Sequence, residues 1–289
     1  MKGKIVKGIG GFYYVDTGNR VYQCRARGLF KKQGITPMVG DLVDMEETTE
    51  KEVEGYVTAI LPRKNCFIRP PIANVDLLVV MAAVKSPAPH YRLIDRFLVM
   101  AEMSKVEIIC CISKIDLAPQ MAEDMMAIYG SLYPTYPISC KQGEGIEDMA
   151  KVMAGKNVAL AGPSGVGKST LLNHLRQEAT AVTGEISKKT GRGRHTTRHV
   201  EIFSMEGGGS IFDTPGFTSF DILEAAEEDL AHYYPEMRPY LGLCRFDNCR
   251  HIKEPACRVR QAVIEGEIAA SRYDSYITQM EEMKGRTTY

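Results

Sequence analysis

The stretch VALAGPSGVGKST, residues 158–170, places an apolar run directly before a glycine-rich loop that ends in Gly167-Lys168-Ser169. The run reads as a buried strand, and the residues after Lys168 read as the start of a helix. Gly162, Gly167, Lys168 and Ser169 occupy the diagnostic places of the pattern G-x-x-x-x-G-K-[ST]. Glycines let the backbone curl so that successive N–H groups point at phosphate oxygens. The helix adds the positive end of its dipole. The reading predicts a phosphate cradle formed by Gly162, Pro163, Ser164, Gly165, Val166, Gly167, Lys168, Ser169 and Thr170. Lys168 is placed to reach the β- and γ-phosphates, and the Ser169 hydroxyl to hold a magnesium ion.

Outward from this loop, residues 71–220 alternate strand-like and helix-like text. The strand-like runs are Val75–Ala83, Val106–Ile112, Val158–Ala161 and Ser210–Phe212, and helical stretches include Arg92–Met103 and Lys168–Leu175. Continuous apolar strands between helices predict a mostly parallel sheet covered on both faces, an α/β phosphate-loop domain. Cys110 and Cys111 sit in one such strand and read as small core residues.

A phosphate loop does not choose a base. Residues 106–117 read VEIICCISKIDL, and Ser113-Lys114-Ile115-Asp116 resembles the [NT]KxD base-reading motif of GTPases. A carboxylate at Asp116 accepts from both guanine N1–H and the 2-amino group, a donor pair adenine lacks. A site built to pair those donors rejects the wrong base strongly. Lys114 is expected along the base face. Ser113 stands where Asn is usual. Ser139, Cys140 and Lys141, in YPISCKQGEGI, resemble the second base loop, whose backbone N–H groups meet guanine O6. After the phosphate loop, Asp213-Thr214-Pro215-Gly216 follows a strand. Asp213 is expected in the magnesium shell and the Gly216 N–H on the γ-phosphate.

Between these lies GRGRHTTRHV, residues 191–200. Thr196 or Thr197 is the candidate switch threonine for magnesium and γ-phosphate, and Thr196 is the one assigned. Many GTPases follow the second switch glycine with Gln to orient the attacking water, but this chain has Phe217. His195 is the candidate for that catalytic task, with a phosphate contact as its alternative. Arg192, Arg194 and Arg198 either stabilise developing charge or meet RNA phosphates.

Residues 244–257, CRFDNCRHIKEPAC, hold Cys244, Cys249, His251 and Cys257. Three thiolates and one imidazole complete a tetrahedral zinc shell with no open position, the pattern of a structural metal. They lie in residues 221–289, a mainly helical tail with little apolar text and a final helix-like run, Val259–Met283. Metal there can substitute for a core.

Residues 1–70 are short alternating segments such as FYYVDTG, RVYQCRARG and GDLVDME, broken by glycine. They predict a small β-barrel or sandwich. Arg69-Pro70-Pro71 disfavours helix and marks a plausible boundary. This part carries 12 Lys/Arg against 8 Asp/Glu, while residues 221–289 carry 9 against 13; the chain of 289 residues is neutral overall. The longest apolar run, Leu77–Val84, is far short of a membrane span. With polar N-terminal text and eight cysteines that read as reduced, a cytoplasmic protein is expected.

The motifs run base motif, second base loop, phosphate loop, first switch, second switch. Ordinary small GTPases begin with the phosphate loop. This permuted order, flanked by a β-rich front and a Cys/His tail, resembles the RsgA family (also YjeQ or YloQ), over essentially the whole chain. The resemblance implies an OB-fold RNA-binding barrel over 1–70, a circularly permuted GTPase domain over 71–220 and a zinc-binding domain with a C-terminal helix over 221–289. It implies a monomer that binds GTP and GDP, with magnesium accompanying GTP and one zinc on the four ligands. It also implies hydrolysis stimulated by the small (30S) ribosomal subunit and its 16S rRNA during late maturation. The competing readings are an adenine-nucleotide phosphate-loop enzyme and an RNA assembly factor with little turnover.

Overall fold

Gly10 and Gly11 both adopt positive φ, at 59° and 83°, in the two-residue turn between β1 (Lys2–Ile9) and β2 (Phe12–Asp16). A hairpin of this length needs that handedness to match strand twist. The computed structural model describes residues 1–28, 30, 34–48, 54–183, 200–205, 207–217 and 225–285. Three further strands, β3 (Val21–Ala26), β4 (Leu42–Glu47) and β5 (Glu54–Ile60), complete the front of the chain. Their order is β1-β2-β3-β5-β4, and β4 returns to pair antiparallel with β1 through Lys2↔Asp44, Gly3↔Val43 and Lys4↔Leu42. The result is a closed five-stranded barrel of OB type. Alternation drives it: Ile5, Val15, Cys24, Val43, Met45 and Val57 point inward and are buried. Closure removes the sheet edges that would otherwise invite other chains.

The segment around Arg69–Pro70 forms the turn of a small hairpin between β6 (Cys66–Phe67) and β7 (Ile72–Ala73). Then follow β8 (Leu77–Ala83), α1 (Tyr91–Met103), β9 (Glu107–Ser113), α2 (Pro119–Tyr129), β10 (Thr135–Ile138), α3 (Ile146–Met153), β11 (Asn157–Ala161) and α4 (Lys168–Thr183). Every residue of β8 is buried, as the continuous apolar run requires. A hairpin of β12 (Glu201–Ser204) and β13 (Ser210–Phe217) completes the sheet text. β12 is absent from the strand-like runs of the sequence because four residues with a glycine run behind them give too weak a period. Gly207, Gly208 and Gly209, all at positive φ, supply the turn.

By contacts the chain divides into two units. One comprises Met1–Leu78, Ile146–Leu160 and Ser169–Phe217; the other comprises Val79–Gly145, Ala161–Lys168 and Thr218–Tyr289. Within the first, the strand order is β11-β13-β12-β1-β2-β3-β5-β4. Within the second, it is β10-β9-β8, with β10 parallel to β9.

The expected single helix over Val259–Met283 is instead two, α5 (Arg258–Ile264) and α6 (Ala270–Lys284). Gly266 adopts φ 78°, and the N–H groups of Glu267 and Ile268 both turn back to the Ala262 carbonyl, ending α5. The break lets α6 fold back and bury Tyr276, Met280 and Met283 with Leu230, Tyr234, Met237 and Val99. Arg272 of α6 is fully buried. It donates to Asp95 Oδ1 of α1 at 2.7 Å and to Glu236 Oε1 at 2.7 Å. Burial works against its charge, but Asp95 and Glu236 outweigh it and hold the guanidinium firmly protonated.

Candidate nucleotide site and metal cluster

β11 delivers the chain to Gly162, where φ is 141° and a Cβ would sit 2.3 Å from the Met81 carbonyl oxygen. Only glycine fits against β8 there. Gly165 and Gly167 also take positive φ, at 81° and 104°. Val166 is buried and anchors the loop, while Ser164 and Gly165 are exposed. Lys168 folds over the loop and donates to the carbonyls of Gly162 and Pro163 at 2.6 and 2.8 Å. Burial pushes its ammonium down to about 8. A partly desolvated cation whose hydrogen-bond partners are neutral carbonyls gains most from an incoming anion. Ser169 and Thr170 begin α4 and are exposed.

The stretch Ser113-Lys114-Ile115-Asp116 begins at the end of β9. Ser113 is 2 % exposed, and its hydroxyl lies 2.6 Å from the Val166 carbonyl oxygen and 3.2 Å from that of Ala82. It therefore ties the SKID strand to the phosphate loop. Lys114 adopts φ 61° and its ammonium donates to the Ser86 carbonyl. Asp116 sits in the single helical turn Ile115–Leu117 and accepts from the Ser139 hydroxyl at 2.7 Å. Ser139 is fully buried. Its backbone exchanges hydrogen bonds with Glu144 at 3.0 and 3.1 Å, and its hydroxyl also accepts from the Gln142 N–H at 3.3 Å. Gly145 must be glycine, since a Cβ would lie 2.3 Å from the Pro137 carbonyl. Cys140 is half-buried and burial raises its thiol; Lys141 is exposed. The second unit thus brings together Ser113, Lys114, Asp116, Ser139 and the loop residues up to Lys168.

Asp213 and Gly216 lie on β13 in the first unit, and Asp213 is the register partner of Glu201 on β12. His195, Thr196 and Thr197 lie outside the described residues, as do Arg192, Arg194 and Arg198.

Cys244, Cys249, His251 and Cys257 converge, their ligand atoms all within 4.8 Å of one another. The His251 Nδ1 is 3.5 Å from Cys244 Sγ and 3.4 Å from Cys257 Sγ, and those two sulfurs are 3.9 Å apart. Metal bonds of ~2.0–2.3 Å in a tetrahedron imply edges of ~3.3–3.8 Å, so the donor set fits zinc. The backbone N–H groups of Arg258 and Arg260 point at Cys244 Sγ and Cys257 Sγ, which favours thiolates. Glu254, missed in the sequence, shapes the ligand loop. Burial works against its charge, but the N–H groups of Arg250, Ile252 and Lys253, at 2.8–2.9 Å, hold its carboxyl at about 2. Its only sequence signal is an acid between two ligands. From α6, the Tyr273 and Tyr276 hydroxyls donate to the carbonyls of His251 and Arg250 at 2.7 and 2.8 Å.

Comparison with known proteins finds relatives along the whole chain. A family model described as RsgA GTPase matches residues 60–223, and one described as RsgA N-terminal domain matches residues 2–57. A protein of Alkaliphilus metalliredigens named small ribosomal subunit biogenesis GTPase RsgA is 43 % identical over 290 residues, covering 100 % of this chain and 99 % of the relative. One of the same name from Agathobacter rectalis is 45 % identical, with 100 % of both chains covered. Among solved structures, YloQ, described as a circularly permuted GTPase, superposes with a TM-score of 0.78 at 38 % identity, covering 99 % of this chain and 95 % of its own. YjeQ from Thermotoga maritima gives 0.81 at 34 % identity, covering 98 % of each. Matched along its whole length by such relatives, and front and centre by the two family models, the chain belongs to the RsgA GTPase family.

Proposed function

We propose that this GTPase hydrolyses GTP to GDP and phosphate in the late maturation of the small (30S) ribosomal subunit, and that the subunit stimulates turnover. The observation that carries the guanine reading is the Asp116 carboxylate, oriented by Ser139 at 2.7 Å in the unit that also holds Gly162–Lys168. Asp116 pairs the two guanine donors, Lys114 lies along the base, and the loop N–H groups around Cys140 meet O6. Ser113 then couples base recognition to the phosphate cradle through Val166.

On this reading Lys168 leaves the Gly162 and Pro163 carbonyls for the β- and γ-phosphates, where its charge is better used. Ser169, Thr196 and Asp213 are oxygen donors suited to magnesium. Magnesium, bound there with GTP, would supply positive charge to the phosphate oxygens. His195 orients the attacking water, the task Phe217 cannot perform. Residues 1–70 form the RNA-binding domain, 71–220 the permuted GTPase domain and 221–289 the zinc-binding domain. One zinc on Cys244, Cys249, His251 and Cys257 is structural, and the protein works as a cytoplasmic monomer on 16S rRNA. Relatives named for small-subunit biogenesis support the assignment.

Competition of labelled GTP by unlabelled nucleotides tests the base assignment. GDP is expected to displace it and ATP at equal concentration to leave it bound. Displacement by ATP would overturn the guanine reading.

A further inference from the structure

Four residues on four neighbouring strands stand in one register row. Tyr14 of β2 pairs with Lys7 of β1, Lys7 with Glu201 of β12, and Glu201 with Asp213 of β13. Residues directly opposite one another across strands share a face, with Cβ atoms ~4.5–5.5 Å apart. The Lys7 ammonium lies 3.1 Å from Glu201 Oε1 and rides over the Tyr14 ring, 5.9 Å from its centroid. The Lys7 and Glu201 side chains are only 28 % and 24 % exposed, so solvent screens the pair incompletely. The same barrel strand sends Lys4 to Ser210 of β13, at 3.0 Å, and to Asn157 Oδ1 at 2.5 Å. A second lysine of β1 thus reaches β13, at Ser210 on the face opposite Asp213.

Glu201 and Asp213 are like charges directly opposite, an arrangement that is unfavourable unless a cation compensates it. The cation that pairs with Glu201 comes from the barrel. We infer that Lys7 and Glu201 are positioning residues for Asp213, with the barrel lysine cancelling the Glu201 charge so that it does not add to the charge of Asp213 where magnesium is proposed to bind. This rests on the proposed role of Asp213. The barrel strand thereby sets the charge balance beside Asp213.

The signs follow. Without Lys7, the Glu201 carboxylate stands uncompensated beside Asp213 and draws a divalent cation in. Without the Glu201 charge, Lys7 repels it. The test is binding of a fluorescent non-hydrolysable GTP analogue to the full chain, titrated with magnesium. Lys7→Met is expected to lower the magnesium concentration for half-maximal binding about threefold or more, and Glu201→Gln to raise it by a similar factor. The double variant returns close to the wild-type value. A merely structural role moves both single variants the same way and the double variant further still. Thermal unfolding of each variant shows that it is folded. If Asp213→Asn weakens the magnesium dependence while Lys7→Met and Glu201→Gln leave it unchanged or shift it together, the inference fails and the role of Asp213 stands. If Asp213→Asn behaves as wild type, the role of Asp213 fails and the inference with it.

Discussion

The Ser139 hydroxyl donates to Asp116 Oδ1 at 2.7 Å, and Ser139 is itself fixed by backbone hydrogen bonds to Glu144. The carboxylate proposed to read guanine is therefore held by a loop from a different strand. Ser139→Ala removes one hydrogen bond to a charged acceptor, a loss of ~1.5–3 kcal/mol at most. We expect GTP affinity to fall about tenfold with the preference over ATP retained. Asp116→Asn puts an N–H donor against the guanine donors. It should lose GTP far more severely and gain xanthosine triphosphate, which offers an acceptor there. Competition titrations with the three nucleotides check both, and a Ser139→Ala variant with unchanged affinity contradicts the bracing role.

Arg272 is buried between Asp95 and Glu236. Replacing it with Met leaves two carboxylates without their partner, and breaking such a buried arrangement costs ~3–5 kcal/mol. Urea unfolding should show a loss of that order. Adding Asp95→Asn and Glu236→Gln to Arg272→Met should recover part of it, because the stranded charges go.

Chelation is expected to loosen the Cys/His element without abolishing nucleotide binding, since the ligands lie outside the phosphate and base loops. Metal content and proteolysis of the 244–257 segment report the first, and labelled GDP the second. Glu254→Gln weakens the acceptor for three loop N–H groups. It should speed metal loss to a chelator several-fold at neutral pH, and an unchanged rate removes its proposed hold on the loop.

Asp76 accepts from the Asn157 N–H and side-chain amide at 2.9 and 2.8 Å and from Lys64 at 2.9 Å. Burial raises its carboxyl, but the Asn157 N–H, Lys64 and the Asn157 side chain prevail, so its value falls below the usual 3.8. A depressed carboxyl stabilises the fold above its unfolded value and loses that contribution as pH falls through the folded one. The stability gap between wild type and Asp76→Asn should be full at pH 7 and narrow below about pH 4. Denaturant unfolding at both pH values measures it; a constant gap contradicts the charged hydrogen bonds.

What the sequence revealed follows from how local each requirement is. The phosphate loop, SKID and the Cys/His cluster each pack their chemistry into a few adjacent positions, and the permuted order is visible once they are found. The barrel showed through its alternation and glycine turns. The rest depends on register or on distant partners. Ser113 stood in a base-contact position, yet it turns inward to Val166, a partner set by how β9 meets the phosphate loop. Arg272 and Asp95 are 177 residues apart, and nothing in either neighbourhood announces the other. The Lys7–Glu201–Asp213 row exists only once β1, β12 and β13 are paired. The split of α5 from α6 hung on Gly266, which an apolar period alone overruns.

The central claim is that the phosphate loop turns over GTP in response to the small ribosomal subunit. GTP turnover by wild type, Lys168→Ala and His195→Ala, with and without small subunits, tests it most directly. Slow intrinsic turnover is expected for wild type, with strong stimulation by subunits. Lys168→Ala should be nearly inactive in both conditions, and His195→Ala should bind GTP normally but turn it over slowly even with subunits. Wild-type turnover that subunits leave unchanged, or a fully active Lys168→Ala, would contradict the account.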